Sequence, residues 1–420
     1  MFSTIFNNTV LSVKSNYILK YNMNYNNFNN NNNNNYYRKK SLSHEQRERI
    51  FKTEKKKKNN NNNKFNIWSI YNRISIVIIV ILSTIILLFT VIIPVVFRFY
   101  TSVHYAAVFA HFWDTDLYHY QAYWPKSIHQ FVLENEEDLD SAGHPIQLGV
   151  WYIPSSEYYN KKDNTWITND SALTSSNSHN QRNNQLMVLY VHGAGATRGS
   201  YPRVSLYKRL SNYLKVQVIA FDYCGFADSS PIRPTIGGLI RDTKVVYKWI
   251  LSRGVSPQSV LFWGHSLGSA VVIRLLATAS KMPIPKCLIL EAPMTSLSEA
   301  IETSTYTRLF RLLPWFKWCF ITPLINNCDL NFDSLNMLHK VRCPLLVLHA
   351  KDDDAIPMRQ GITLYRTARR KQPLSVRYKA RLHQFGIMSD YHLGHHMINR
   401  APDFISTIDN FLQELKDSKD

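Results

Sequence analysis

The sequence has no cysteine–histidine spacing of the zinc-finger kind, no glycine-rich phosphate loop and no aromatic RNA-binding signature. These gaps matter because 49 Lys and Arg outnumber 30 Asp and Glu, and a net charge of +19 otherwise points toward nucleic acid. Mapping the charge removes that reading. Residues 1–73 hold 14 Lys and Arg against 3 Glu, which accounts for +11 and leaves only +8 on the other 347 residues. Nucleic acid is therefore not an expected partner. Cysteine is scarce too: Cys224, Cys287, Cys319, Cys328 and Cys343 are the only five, and their spacing suggests no metal site. No metal or other cofactor is implied. An odd number leaves at least one thiol unpaired. Cys319 and Cys328 are close enough to bridge in an oxidising compartment, although buried free thiols are the expected state.

Charge is absent altogether from Ile74 to Val96, 23 residues dominated by Ile, Val and Leu. A run of that length crosses a hydrocarbon core of about 30 Å, so residues 74–97 read as a transmembrane helix. A core helix is seldom apolar on every face for so long, and a cleaved signal peptide does not start beyond residue 70. Before the span, residues 1–73 are an Asn- and Lys-rich tail with tracts Asn29 to Asn35 and Asn59 to Asn63. Such polar runs bury too little apolar surface to offset chain entropy, and the composition predicts disorder. Lys55 to Lys58, Lys64 and Arg73 precede the span, whereas Arg98 is the only Lys or Arg among roughly the next 25 residues. The positive-inside rule puts the N-terminus in the cytosol and residues 98–420 across the membrane. There, Asn169-Asp170-Ser171 in a polar insert is an expected glycosylation site, whereas the sequon at Asn7 lies on the cytosolic side.

Residues 98–420, in a chain that is 45% apolar, have ample material for a core. Apolar runs Ile146 to Ile153, Leu186 to Val191, Val216 to Phe221, Ser259 to Trp263, Cys287 to Glu291 and Pro344 to His349 predict strands. Helical patterns Val204 to Leu214, Ile236 to Leu251, Ala270 to Ala279 and Pro402 to Leu415 lie between and after them. Strand–helix alternation implies a mostly parallel sheet covered on both faces, the α/β class. The alternation lapses over about residues 294–343, which are rich in aromatics and read as a small cap.

Between the run ending at Trp263 and the helix from Ala270 stands Gly264-His265-Ser266-Leu267-Gly268. Strand, tight turn and helix in that order make G-x-S-x-G a nucleophile elbow with Ser266 as nucleophile. Gly264 and Gly268 are needed because a Cβ at either place would collide with the turn. The loop His192-Gly193-Ala194-Gly195-Ala196, after an earlier strand, supplies one oxyanion N–H at Ala194, and Leu267 supplies the other. His192 reads as a residue that holds this loop. The acid belongs after Ser266 at a strand's carboxyl end, among Asp352, Asp353 and Asp354. His395 follows Gly394, whose backbone freedom lets the imidazole turn toward Ser266; His383, His392 and His396 compete with it.

The motifs Leu189-Tyr190-Val191-His192-Gly193, Thr197-Arg198-Gly199, Phe221-Asp222-Tyr223, Trp263 to Gly268, Leu288 to Glu291 and Leu345 to Pro357 resemble the α/β-hydrolase family. Within it they resemble the membrane-anchored lysophosphatidylserine and monoacylglycerol lipase branch of the endoplasmic reticulum. Two stretches differ from that branch, which usually has H-G-N-x-G and D-Y-R-G-x-G where this chain has His192 to Ala196 and Asp222 to Ala227. The resemblance implies Asp353 as the acid and His395 as the base of a Ser-Asp-His triad. It further implies a single-pass type II protein whose luminal domain hydrolyses the acyl ester of lysophospholipids, monoacylglycerols or both. An acyl-protein thioesterase or general carboxylesterase is the enzymatic alternative, and a catalytically silent membrane adapter is the non-enzymatic one.

Overall fold

The computed structural model describes residues 43–110, 128–140, 142–156, 159–160, 165–166, 185–386 and 392–417. Asn169 and Asn7 lie outside them. The chain divides into two units at residues 86 and 87, and each is taken by itself.

In the first unit α1, His44–Leu87, begins at a reciprocal cap. Ser43 N–H donates to Gln46 Oε1 and Gln46 N–H to Ser43 Oγ, the S-x-x-Q capping box. Residues 44–73, which composition assigns to a disordered tail, are therefore helical. Once an apolar helix is nucleated, adding one residue at its end fixes little and gains a hydrogen bond. Surface pairs such as Arg49–Glu45 at 3.0 Å accompany it. Residues 1–42 of the expected tail lie outside the described residues. The stretch long and apolar enough to cross a membrane runs from Ile67 to Phe99, starting earlier than 74 because Ile67, Trp68 and Ile70 extend the apolar surface.

The second unit opens with a π-helical turn, Leu88–Ile92, then α2, Ile93–Phe99, and α3, Thr101–Phe109. The strands follow: β1 His129–Leu139, β2 Pro145–Ile153, β3 Met187–Val191, β4 Gln217–Phe221, β5 Val260–His265, β6 Cys287–Glu291, β7 Leu345–Ala350 and β8 Arg381–Phe385. Their order in the sheet is β1-β2-β4-β3-β5-β6-β7-β8. The pairs β1–β2 and β2–β4 are antiparallel, and all others are parallel. Alternate residues of each central strand serve opposite faces, as the two-residue period of a strand requires. In β3, Met187, Leu189 and Val191 pack with α5, Ile236–Ser252, and α6, Leu267–Thr278, whereas Val188 and Tyr190 pack with α4, Tyr201–Arg209, and α7, Phe404–Asp417. The sheet is thus sealed on both sides, which explains why its inner strands are apolar without interruption.

The expected cap divides in two. Leu297, Leu324, Leu330, Phe332 and Leu338 belong to the main core, whereas Phe316, Cys319, Phe320 and Ile321 form a small cluster of their own with Ile93 and Phe97. The part that stands away from the sheet is thus shorter than residues 294–343. All five cysteines are free thiols, with Cys328 exposed and the other four buried. No bridge joins Cys319 to Cys328.

Candidate active site

Ser266 sits between β5 and α6 with φ +52° and ψ −116°, a left-handed strained backbone for a residue with a Cβ. The turn leaves no room on either side. A methyl group on Gly264 would lie 2.7 Å from Gly268 O, and one on Gly268 would lie 2.0 Å from Val191 O. Ser266 N–H donates to Glu291 O at 2.9 Å and Ser269 N–H to Ser266 O at 3.0 Å, which pins the sharp turn from both sides.

His395 Nε2 lies 2.9 Å from Ser266 Oγ, and His395 Nδ1 lies 2.8 Å from Asp353 Oδ2. The imidazole reaches this place because Gly394 takes φ +50°. Two further groups fix the loop: Leu393 N–H donates to Asp352 Oδ2 at 2.9 Å, and the His265 Nε2–H donates to His395 O at 3.0 Å. Asp353 is buried while Asp352 and Asp354 are exposed. Its Oδ1 accepts from the N–H groups of Ala355 and Ile356 at 3.0 and 2.8 Å, and His349 Nε2 stands 3.2 Å from its Oδ2. Burial alone would raise the Asp353 carboxyl. The hydrogen bonds from His349 and then His395 outweigh it and hold the group far below the usual carboxylate range. The charged form is thereby favoured, with Oδ2 aimed at the His395 imidazole.

The rival histidines are placed otherwise. His383 pairs with Asp403 at 2.7 Å, His392 is exposed, and His396 lies beside His395 on the wall of the same cavity. That cavity, about 570 Å³, opens over Ser266 and is walled by Tyr190, Ala194, Leu206, Glu291 and Tyr306 among others. Its size falls within the usual range for small-molecule sites.

The two expected oxyanion donors, Ala194 and Leu267, lie next to Ser266 in the fold or the chain. Leu267 is the first residue of α6, where an N–H has no acceptor within the helix. Ala194 lines the cavity, on a loop pressed so close that a methyl group on Gly193 would lie 3.3 Å from Ser266 Cβ. Buried charge holds this loop. Arg198 binds Asp222 at 2.6 Å and Asp228 at 2.6 and 2.8 Å, and Arg203 donates to Thr197 O and Gly195 O, both at 2.6 Å. His192 lies fully buried 3.3 Å from Asp222, its Nδ1 2.8 Å from Gly193 O. Burial, and after it the Arg203 charge, pushes its pKa well down, so it is neutral and serves the loop. His265, His349 and Asp352 stand inside the motifs and Arg203 outside them, but nothing in the sequence assigns any of the four to these tasks.

Glu291 ends β6 on the cavity wall with its carboxyl accepting from Trp263 Nε1 at 2.7 Å. Burial, opposed by that hydrogen bond, pushes its pKa up to about 7. A raised carboxyl pKa means that the folded state holds the proton more tightly than the unfolded chain. Stability is then full below the unfolded value of about 4.3 and declines until the pH passes about 7. Glu291→Gln removes the decline, so the variant's stability relative to the parent will be higher at pH 8 than at pH 5, by about 3 kcal/mol at most. Denaturant unfolding at the two pH values checks this; an equal offset at both would refute it.

A family model described as serine aminopeptidase, S33, matches residues 182–331. The lysophosphatidylserine lipase ABHD12 of Danio rerio is 31% identical over 327 residues, covering 76% of this chain and 80% of the relative. The Mus musculus protein of the same name is 36% identical over 243 residues, covering 57% of this chain and 56% of the relative. Human protein ABHD12B is 29% identical over 274 residues, covering 64% and 70%. Among solved structures, the Pyrococcus furiosus esterase Pf2001 aligns with a TM-score of 0.47 at 17% identity, over 70% of this chain and 93% of that one. The chain belongs to the α/β-hydrolase family and, within it, to the ABHD12 group of serine hydrolases.

Proposed function

We propose that this protein is a membrane-anchored lipase that cleaves the acyl ester of single-chain lipids, lysophosphatidylserine and related lysophospholipids first and monoacylglycerols second. The observation that carries the reading is the unbroken chain Ser266–His395–Asp353, 2.9 and 2.8 Å per link, opening on a cavity of about 570 Å³. The relatives' name, lysophosphatidylserine lipase, supports the substrate class.

Ser266 Oγ attacks the ester carbonyl as His395 Nε2 takes its proton, and Asp353 keeps the Nδ1 proton in place and stabilises the imidazolium. The developing oxyanion rests on the N–H groups of Ala194 and Leu267. His395 then hands its proton to the departing glycerol hydroxyl, and water activated by the same imidazole releases the fatty acid. The test is a substrate panel with full-length protein in mixed micelles: lysophosphatidylserine, lysophosphatidylcholine, a monoacylglycerol, an acyl thioester and a short-chain ester. Hydrolysis of the single-chain lipids with the highest kcat/KM is expected. Turnover of the thioester alone would give the site to the thioesterase alternative.

The asymmetric charge around the span supports a type II arrangement in the endoplasmic reticulum membrane, with Ser266 in the lumen. Asn169 then receives a glycan and Asn7 does not. The expected results are a gel shift on endoglycosidase treatment that Asn169→Gln removes, and protection of a C-terminal tag from protease in sealed microsomes. Digestion of that tag in intact vesicles would reverse the orientation.

A further inference from the structure

The last turns of the apolar helix do not stand free of the catalytic unit. Phe89 stacks on Phe310 with centroids 5.7 Å apart, Phe97 packs on Phe320 at 4.9 Å, and Arg98 lies over the Trp318 ring at 4.9 Å. Pro94 has no N–H to offer the carbonyl four residues back, Thr90 O, and Trp315 Nε1 donates to that oxygen at 3.0 Å. Arg98 lies eight residues after Thr90 along the helix, a rise of about 12 Å. If Arg98 marks the membrane surface, a bilayer that holds Thr90 must also receive the protein segment packed against it.

That segment has the surface for it. Leu309, Leu312 and Tyr306 are 70%, 79% and 73% exposed, and Trp315, Trp318 and Ile325 are exposed beside them. An apolar face of this kind is a liability in water and marks an interaction site. Tryptophan next to a cation at the end of a span is the composition of the membrane–water interface. Tyr306 also forms part of the wall of the cavity over Ser266, as does Ala110 just after α3.

We propose that residues 305–325 are embedded in the lipid leaflet where the span ends, so that the cavity mouth opens into that leaflet and a single-chain lipid enters without crossing water. The occupant of the exposed face is the bilayer itself, because the helix Leu87–Phe99 that packs on this segment is exposed and apolar, and the exposed Arg308, Arg311 and Lys317 interleaved in the segment suit the headgroup level. The proposal rests on the lipid-hydrolase reading for its consequence but not for its placement, and the test separates the two.

Full-length protein carrying Cys328→Ser, with Leu312→Cys labelled by an environment-sensitive fluorophore, is placed in nanodiscs containing lipids with a quencher on the acyl chain. The same label at Lys371→Cys, on an exposed helix end, serves as control. Quenching at position 312 to several times the level at 371 is expected, whatever the enzyme hydrolyses. Equal, low quenching at both positions overturns the proposal. Shielding of the 312 label from aqueous iodide without lipid quenching, with two chains per disc, would give the face to a second copy and overturn it equally. In the kinetic arm, Leu309→Asp with Leu312→Asp lowers kcat/KM for lysophospholipid in nanodiscs about tenfold. It leaves turnover of a water-soluble short-chain ester within twofold, which also reports that the fold survives. Equal losses on both substrates, or none on either, would contradict leaflet entry. Absence of lysophospholipid hydrolysis by the parent protein, with strong quenching at position 312, would fail the lipase reading alone.

Discussion

Ser266→Ala will lower ester hydrolysis by about 10⁵-fold or more and leave the fold intact. The change removes one hydroxyl from a turn whose shape is set by backbone contacts, since Ser266 N–H, Ser266 O and the two flanking glycines are untouched. Groups that act as one unit fail together, so loss of the nucleophile costs nearly as much as loss of the whole triad; about 10⁵ corresponds to about 7 kcal/mol of transition-state stabilisation. What survives is the contribution of the oxyanion N–H groups and the cavity. Circular dichroism and thermal unfolding within a degree or two of the parent will separate chemistry from stability, and turnover by the variant at parental rate would remove Ser266 from the mechanism.

Asp353→Asn will cost about 10⁴-fold in kcat. The replacement keeps one oxygen for the Ala355 and Ile356 N–H groups, so the loop after β7 survives. The NH₂ that it introduces faces two imidazoles, His395 and His349. A donor opposite His395 Nδ1 forces the proton to Nε2, the atom that must accept from Ser266. Asp352→Asn, by contrast, touches only the acceptor of Leu393 N–H and should cost less than about tenfold. Steady-state kinetics on the two variants side by side decides the acid: a larger loss at Asp352 would move the assignment there.

The parts of this protein legible in its sequence are those where one physical demand dominates. Strands covered on both faces must be apolar throughout, and β3 to β7 read directly as such. The elbow is visible because close backbone contact excludes every side chain at Gly264 and Gly268. The edge strands obey a weaker demand: β1, His129–Leu139, and β8, Arg381–Phe385, each have a neighbour on one side only and are mixed in polarity, so no apolar run announces them. The helix Arg359–Lys371 buries only Gln360, Gly361, Leu364 and Ala368, too thin a stripe to stand out from its charged face. Helix in residues 44–73 is hidden for another reason, since Asn and Lys composition argues for disorder while the cap at Ser43 and the adjoining apolar run argue for helix.

The site divides in the same way. The order of elements gives Ser266 its address and narrows the acid to Asp352, Asp353 and Asp354, the resemblance selects Asp353, and a Gly before the imidazole of His395 is a backbone signal. Arg203, His265, His349 and Asp352 act on groups from 4 to 130 residues away along the chain, and no pattern in the sequence assigns them those tasks. The membrane-facing segment is intermediate. Its aromatics are plain in the sequence, but whether they fill a core or face outward is settled only by which of them the fold buries: Phe316 and Phe320 inward, Trp315 and Trp318 outward.

The central claim is that Ser266 is the nucleophile of an acyl-transfer site armed by His395. Its most direct test is to label the full-length protein with a fluorophosphonate, digest it and locate the adduct by mass spectrometry. The account predicts one phosphonylated residue, Ser266, with labelling that falls steeply in His395→Ala. An adduct on any other serine, or labelling that persists undiminished without His395, would contradict it.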